Sequence, residues 1–327
     1  MKLSDHLVTE TPRHEIIQES FAAYKAYPAV NQSFLNSFDI QNGGCPAKAA
    51  HYLASNTAGY DAPDIEGLDV GATPEASEAM AFGSLYHQYI LQPEEFAKSA
   101  HYLDGAKQEA LYNEALAGKS KAKGFSKSLG TYKAWKAEVL ASGGQIVSEG
   151  LERKLEAMRS ALVRDPATEE ALKVDSVNEV TLYFSIPLDP RDDANPKRIQ
   201  CKALVDKLPK EGRDIFDLKT TRSAHPEAFA RSVSQYGYDK QSAWYTRAAK
   251  AHNLGERRFV FLAQEAVAPY LAARHVMPQS WVDFASAEID TILSGVRQCL
   301  TTDDWAGYGG GELLPPSYLQ DIIDSIG

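Results

Sequence analysis

An α/β fold is predicted, with a mixed central sheet flanked by helices. Two patterns point to it. The apolar spacing is helical up to about residue 173 and becomes alternating from Val177. Three β-rich runs then precede a long helical stretch, two further strands and a closing helix. The chain of 327 residues, 44% hydrophobic and 24% charged, has ordinary globular composition and is long enough for a sizeable core.

The elements follow in order. Residues 1–60 read as polar helices and turns, with Ser33 capping a helix over 34–38. Residues 61–77, rich in Asp, Gly and Pro, read as a loop. Over 75–91, Met80, Phe82, Leu85, Tyr86, Tyr89 and Ile90 recur at helical spacing until Pro93 stops the helix. Residues 149–173 form another helix, with Leu151, Leu155, Met158 and Leu162 on one face. Strands are expected at 177–186, 198–208 and 214–220, a helical stretch at 226–252, strands at 258–264 and 269–276, and a helix at 281–299. In domain terms, 1–75 is a helical and loop part of the same domain. Residues 76–303 are the core, with a helical, basic insertion at about 100–175, and 304–327 is a tail packing on that core.

The formal net charge of −10 counts against a nucleic-acid partner at face value. Its distribution qualifies that reading. Between Lys107 and Lys136 seven lysines stand against Glu109 and Glu114. The stretch 118–130, with Lys119, Lys121, Lys123 and Lys127 among Gly and Ser, reads as a flexible segment able to touch phosphates; a solvated loop would have the same composition. Gly118-Lys119-Ser120 does not end a phosphate-binding loop, because Asn113 holds the first glycine's place. Cys45, Cys201 and Cys299 are scattered, suit a reducing compartment and cannot build a four-cysteine zinc or iron–sulfur site. No apolar run reaches the roughly 18 residues of a membrane helix. The N-terminus lacks a secretory pattern, so a cytoplasmic address is expected.

The chemistry concentrates in a hairpin. If it turns symmetrically about Glu211-Gly212, Asp206 and Asp217 are directly opposed, share a face, and have Lys219 beside them. Opposed carboxylates repel, and a divalent cation of the Mg²⁺ or Mn²⁺ kind would offset this. Asp-x-Lys alone is short and common, and more often marks aspartates facing solvent at a sheet margin. Two helical pairs join it: Gly83 with His87, and Gln241 with Tyr245, each i, i+4 and so on one face. A lone His87 among Leu85, Tyr86 and Ile90 is more often a packed core residue than a ligand, and an amide with a phenol usually caps a core.

Together these residues resemble the PD-(D/E)XK nuclease superfamily in its RecB-like branch: Gly83-Ser-Leu-Tyr-His87, Asp206, Asp217-Leu-Lys219 and Gln241-Ser-Ala-Trp-Tyr245 stand in that branch's order. The runs 80–87 with 93–96, 216–225, 236–241 and 305–308 are similar to the exonuclease VIII (RecE) nuclease type of phages and prophages, over about residues 27–318. Residues 104–150 look peculiar to this chain.

The resemblance implies a restriction-endonuclease-like core and a metal-dependent exonuclease that digests duplex DNA from ends, 5′→3′, leaving 3′ tails for recombination. It implies Mg²⁺ or Mn²⁺ held by His87, Asp206, Asp217 and the Leu218 carbonyl, with Glu179 as a further or water-linked ligand. Lys219 would act on the attacking water and on transition-state charge. Gln241, Tyr245, Thr220 and Thr221 would contact substrate, and on such a nuclease Lys119, Lys121, Lys123 and Lys127 would form a mobile arm touching DNA phosphates near its entrance. A homo-oligomeric ring, tetramer before trimer, and a single-strand-annealing partner are implied too; an iron–sulfur cluster and a membrane are not. Two rival readings are a catalytically silent DNA-binding protein on the same fold and a metal hydrolase of a non-nucleic phosphate.

Overall fold

The computed structural model describes residues 3–56, 74–192, 194 and 196–308. The N-terminal part runs through α1 (Ser4–Leu7), β1 (Val8–Thr9), β2 (Glu15–Gln18), α2 (Phe21–Ala26), α3 (Gln32–Phe38) and α4 (Pro46–Asn56). Next come α5 (Pro74–Leu91), α6 (Pro93–Ser99), β3 (Ala100–Leu103), α7 (Gly105–Ala117), α8 (Gly130–Ala141), β4 (Gln145–Ser148), α9 (Glu149–Leu162) and α10 (Pro166–Lys173). The remaining elements are β5 (Ser176–Pro187), β6 (Arg198–Pro209), β7 (Asp214–Thr221), α11 (Pro226–Gln235), α12 (Tyr238–Ala251), β8 (Arg258–Glu265), β9 (Ala272–Val276) and α13 (Gln279–Thr302).

The predicted mixed sheet is present. Its seven strands run β2-β5-β6-β7-β8-β9, with β1 also pairing β6. The β5–β6–β7 meander is antiparallel, β7 and β8 are parallel, and β9 closes the edge antiparallel to β8. One face carries α3, α4, α12 and α13, packing Phe34, Leu182, Phe184, Trp244, Phe261 and Leu293 together. The other carries α5, α9 and α10, with Tyr86, Leu155, Met158, Phe216, Leu218 and Leu262. Both faces are covered, so the central strands are apolar on both sides, as for a layered α/β core.

Several expectations need correction. Residues 8–9 and 15–18 are strand rather than helix and turn: Val8 pairs with Ile199, and Ile17 with Thr181. Such short strands carry little signal of their own and take their state from the sheet edge they join. Asn31, not Ser33, caps α3, its Oδ1 accepting from Phe34 N–H at 2.9 Å. The predicted 149–173 helix is two, because Pro166 starts a new helix whose cap is the Asp165 carboxylate. The 226–252 stretch breaks at Gly237, whose φ of 66° suits glycine. The predicted loop at 61–77 and the tail beyond 308 lie outside the described residues, apart from the start of α5.

The basic insertion has its own small core. Parallel β3 and β4 carry α7 and α8, which meet through Leu103, Leu111, Ala115, Leu129 and Tyr132. Its lysine-rich loop is not a free arm: Phe125 packs edge-on against Tyr132, and the Tyr112 hydroxyl donates to the Ala122 carbonyl. Among the described residues no helix is long and apolar enough to cross a membrane.

Candidate active site

The site lies where the sheet is broken. Lys207 opposite Phe216 is the one ladder pair between β6 and β7. That register places 206 opposite 217, as the symmetric hairpin predicts. Beyond it the strands part, and the Asp206 carboxylate takes the ladder's place: Oδ2 accepts the Leu218 N–H at 2.9 Å. A buried backbone donor is thereby satisfied by a side chain.

A second irregularity sits across β6. Asn178 pairs Lys207 and Val180 pairs Val205, so Glu179 faces Asp206 without a ladder pair of its own. Glu179 has a φ of 48°, uncommon for a residue with a Cβ. Val177 and Val180 pack into the same apolar cluster, and so do Val205 and Leu208. In an unbroken strand, residues three apart would face opposite ways. Both strands therefore reverse their alternation at one level, and two carboxylates stand together at the reversal.

His87 completes this group from α5. Its Nδ1 is 3.4 Å from Asp206 Oδ2, and ligand atoms of His87, Glu179 and Asp206 all lie within 4.8 Å of one another. Gly83, one turn earlier, brings α5 close to β7; a Cβ there would stand 3.4 Å from Thr220 Oγ1.

Asp217 stands on the other lip, turned toward α12. Gln241 Nε2 donates to its Oδ1 at 2.8 Å, while its Oδ2 lies 2.7 Å from Lys219 Nζ without a well-directed hydrogen bond. The predicted shared face does not hold in detail: Asp206 is engaged toward α5 and Asp217 toward α12, because β6 is distorted at Asp206. The Lys219 ammonium also sits 4.8 Å from the Tyr238 ring centroid.

Burial and mutual repulsion set the charges. Glu179 is pushed up to about 8 by burial, then by Asp206 and Asp217. Asp217 is pushed up to about 6 by burial and Asp206. Burial also raises Asp206, against the pull of Lys219 and the Leu218 N–H. His87 is held down to about 4 by burial and the nearby ammonium, which keeps its imidazole neutral. Burial works against the Lys219 charge, but Asp217 and Asp206 outweigh it and hold the ammonium above its ordinary range.

Three close carboxylates, one ammonium and a neutral imidazole make a donor set short of positive charge. Asp217 Oδ2, buried and met only by the Lys219 ammonium, is a further oxygen with room for a second partner. Hard oxygen donors with one imidazole fit a divalent cation such as Mg²⁺ or Mn²⁺.

The other predicted residues divide. Gln241 reaches the site through Asp217. Tyr245 is buried, packs edge-on against Phe259 and hydrogen-bonds with Gln241, so it lies behind the site. Thr220 lies beside Gly83, and the Thr221 hydroxyl is used in the turn at Ser223. Lys119, Lys121, Lys123 and Lys127 belong to the insertion, and among the described residues no hydrogen bond or ion pair ties them to the site. Sequence reasoning gave Tyr238 no role. Its signal was the i, i+3 spacing to Gln241 on one helix.

Residues 44–313 match the model of a family described as a PDDEXK-like domain of unknown function, DUF3799. Among solved structures the chain is similar to the "Putative exonuclease" of Eubacterium rectale, at 14% identity over 94% of this chain and 98% of that one, with a TM-score of 0.49. It is also similar to the alkaline exonuclease LHK-Exo of Laribacter hongkongensis, at 13% identity over 75% and 100% of the two chains, with a TM-score of 0.26. No curated protein matches it.

Proposed function

We propose that this chain, which belongs to the PDDEXK-like DUF3799 family, is a metal-dependent deoxyribonuclease that hydrolyses duplex DNA from its ends. One observation carries the reading. Coincident distortions of β5 and β6 gather His87, Glu179 and Asp206, and the parting of β6 from β7 sets the Asp217–Lys219 pair across from them. A folded protein has no packing reason to cluster these groups where they are largely buried and their mutual repulsion costs stability.

His87, Glu179 and Asp206 would hold the cation, with Asp217 and the Leu218 carbonyl as the further donors that the family resemblance implies. A bound Mg²⁺ or Mn²⁺ supplies Lewis-acid chemistry, neutralising phosphodiester charge and acidifying the attacking water. A lysine held charged cannot accept a proton. Lys219 therefore orients the water and places its N–H groups toward the negative charge that grows on phosphate oxygens in the transition state. Gln241 fixes the Asp217 carboxylate, and Tyr245 fixes Gln241. Tyr238 restrains the ammonium through its ring face. Thr220 and Thr221, at the end of β7, are proposed substrate contacts.

Digestion from duplex ends with 5′→3′ polarity, a ring-shaped homo-oligomer and an annealing partner in recombination are proposed from the resemblance of the 80–87, 216–225 and 236–241 runs to the exonuclease VIII type. The test is a linear duplex with distinguishable 5′ and 3′ labels, incubated with Mg²⁺ or with EDTA. Early release of the 5′ label, only with metal, is expected. Early release of the 3′ label would reverse the polarity, equal loss of a closed circle would make the enzyme an endonuclease, and no cleavage would refute the reading.

A further inference from the structure

We infer that a basic groove on the face of α12 opposite Gln241 is a second contact for DNA, seating the backbone of a duplex away from the cutting site. The inference rests on the nuclease reading for its ligand. Gln241 and Tyr245 share the face of α12 that serves the site. Arg247 and Lys250, i, i+3, share the opposite face and line the groove. The turn between β6 and β7, the segment after α12 and the start of α13 form its other walls.

The groove has a volume of about 1210 Å³. That exceeds the roughly 300–1,000 Å³ of small-molecule sites. Arg213, Arg247, Lys250, Arg257 and Arg258 line it against two acids, Glu256 and Asp283, in a chain whose net charge is −10.

The acids nearby cancel this charge only in part. Asp214 is shared by two guanidiniums, Arg258 at 2.7 Å and Arg274 at 2.8 Å. Arg213 pairs with Glu256 at 3.4 Å where both are well exposed, a pair worth little. Arg257 is held by the carbonyls of Leu254 and Pro209, at 3.0 and 3.4 Å, rather than by an acid of its own. Burial accordingly lowers its pKa, opposed by Asp214. Lys250 is exposed and, among the described residues, makes no ion pair. Ser286 holds Arg247 at 2.9 Å, and Asp290 forms an ion pair with it at 2.8 Å from a well-exposed position. The 24-residue helix α13 also begins here, without a side-chain cap, and its dipole adds to the positive potential.

The lining favours duplex over single strand. Single-strand sites stack bases on aromatic rings, and no aromatic side chain lines the groove among the described residues. Guanidinium and ammonium groups without a stacking platform suit phosphates whose bases are already paired.

The test is fluorescence anisotropy of a labelled 20-base-pair duplex in EDTA, so that binding is read without cleavage. Wild type is compared with Arg213→Ala/Lys250→Ala, two exposed positions outside the catalytic machinery, across about 50–200 mM salt. With two phosphate contacts gone, the slope of log affinity against log salt should flatten by about 1.8, and affinity should fall at least about tenfold near 100 mM. Equal slope and affinity in the two proteins would overturn the inference. An equal loss on a dT strand of the same length would overturn the choice of duplex, and displacement by polyglutamate in preference to DNA would make the groove a protein contact instead. Metal-dependent cleavage of a short duplex by wild type separates the two ideas: its absence refutes the nuclease reading while the EDTA binding result still decides the groove.

Discussion

Glu179→Gln should stabilise the metal-free protein, although it removes a proposed ligand. In the fold Glu179 is pushed up to about 8 from an ordinary 4.5. An acid raised in the folded state contributes no penalty below its unfolded pKa. The penalty grows as pH rises from about 4.5 towards 8 and is constant above that. At pH 7 the effect is at most about 3.5 kcal/mol, at ~1.4 kcal/mol for each pH unit above 4.5, and partial exposure of the site reduces it. Gln keeps the shape and the left-handed backbone, so the strain at φ 48° cancels between the two proteins. Urea unfolding in EDTA at pH 5, 7 and 8 should therefore show Glu179→Gln more stable than wild type by about 1–3 kcal/mol at pH 7–8, narrowing to under about 1 kcal/mol at pH 5. Saturating Mg²⁺ should reverse the order, since ligand at a thousandfold its Kd adds about 4.1 kcal/mol to the protein that binds it. A gap independent of pH, or a Gln variant less stable than wild type at pH 8 in EDTA, would refute the reasoning.

Asp217→Ala and Lys219→Ala should both abolish cleavage, but Mn²⁺ titration calorimetry should find the cation lost in the first and kept in the second; equal loss would remove the lysine from its assigned role. Tyr238→Phe should keep near-wild-type kcat because the ring face remains under the ammonium, whereas Tyr238→Leu should lower kcat about two- to thirtyfold with little change in KM, as loss of a cation–π contact of about 0.5–2 kcal/mol implies. Replacing Lys119, Lys121, Lys123 and Lys127 by alanine should weaken DNA binding about equally for all sequences and flatten the salt slope by up to about 3.6, without slowing turnover of a bound short duplex; an unchanged slope would make this a solvated loop. Because Phe125 and Tyr112 anchor the loop, its thermal stability should hardly change in that variant.

The sequence by itself determined the layered α/β architecture, the β5–β6–β7 meander and the register that sets Asp206 opposite Asp217. Those features follow from local periodicity and turn chemistry, which neighbouring residues carry within the chain. Spacing alone left His87, Asp206, Asp217, Lys219 and Gln241 as weak signals; it was their joint order along the chain, through the family resemblance, that singled them out. Whether β1 and β2 form at all was decided by tertiary structure, since their few residues are extended by an open sheet edge. So was the end of the lysine-rich stretch as a free arm, because Phe125 and Ala122 find partners on helices to either side of it. Most of all, the place of Glu179 was decided there. A strand pattern assigns it a face by alternation, and the apolar spacing of three at Val177/Val180 and Val205/Leu208 was the faint sign that alternation fails. Two strands must pair before both can reverse at the same level, so the meeting of Glu179, Asp206 and His87 is a property of the assembled sheet and of the helix laid across it.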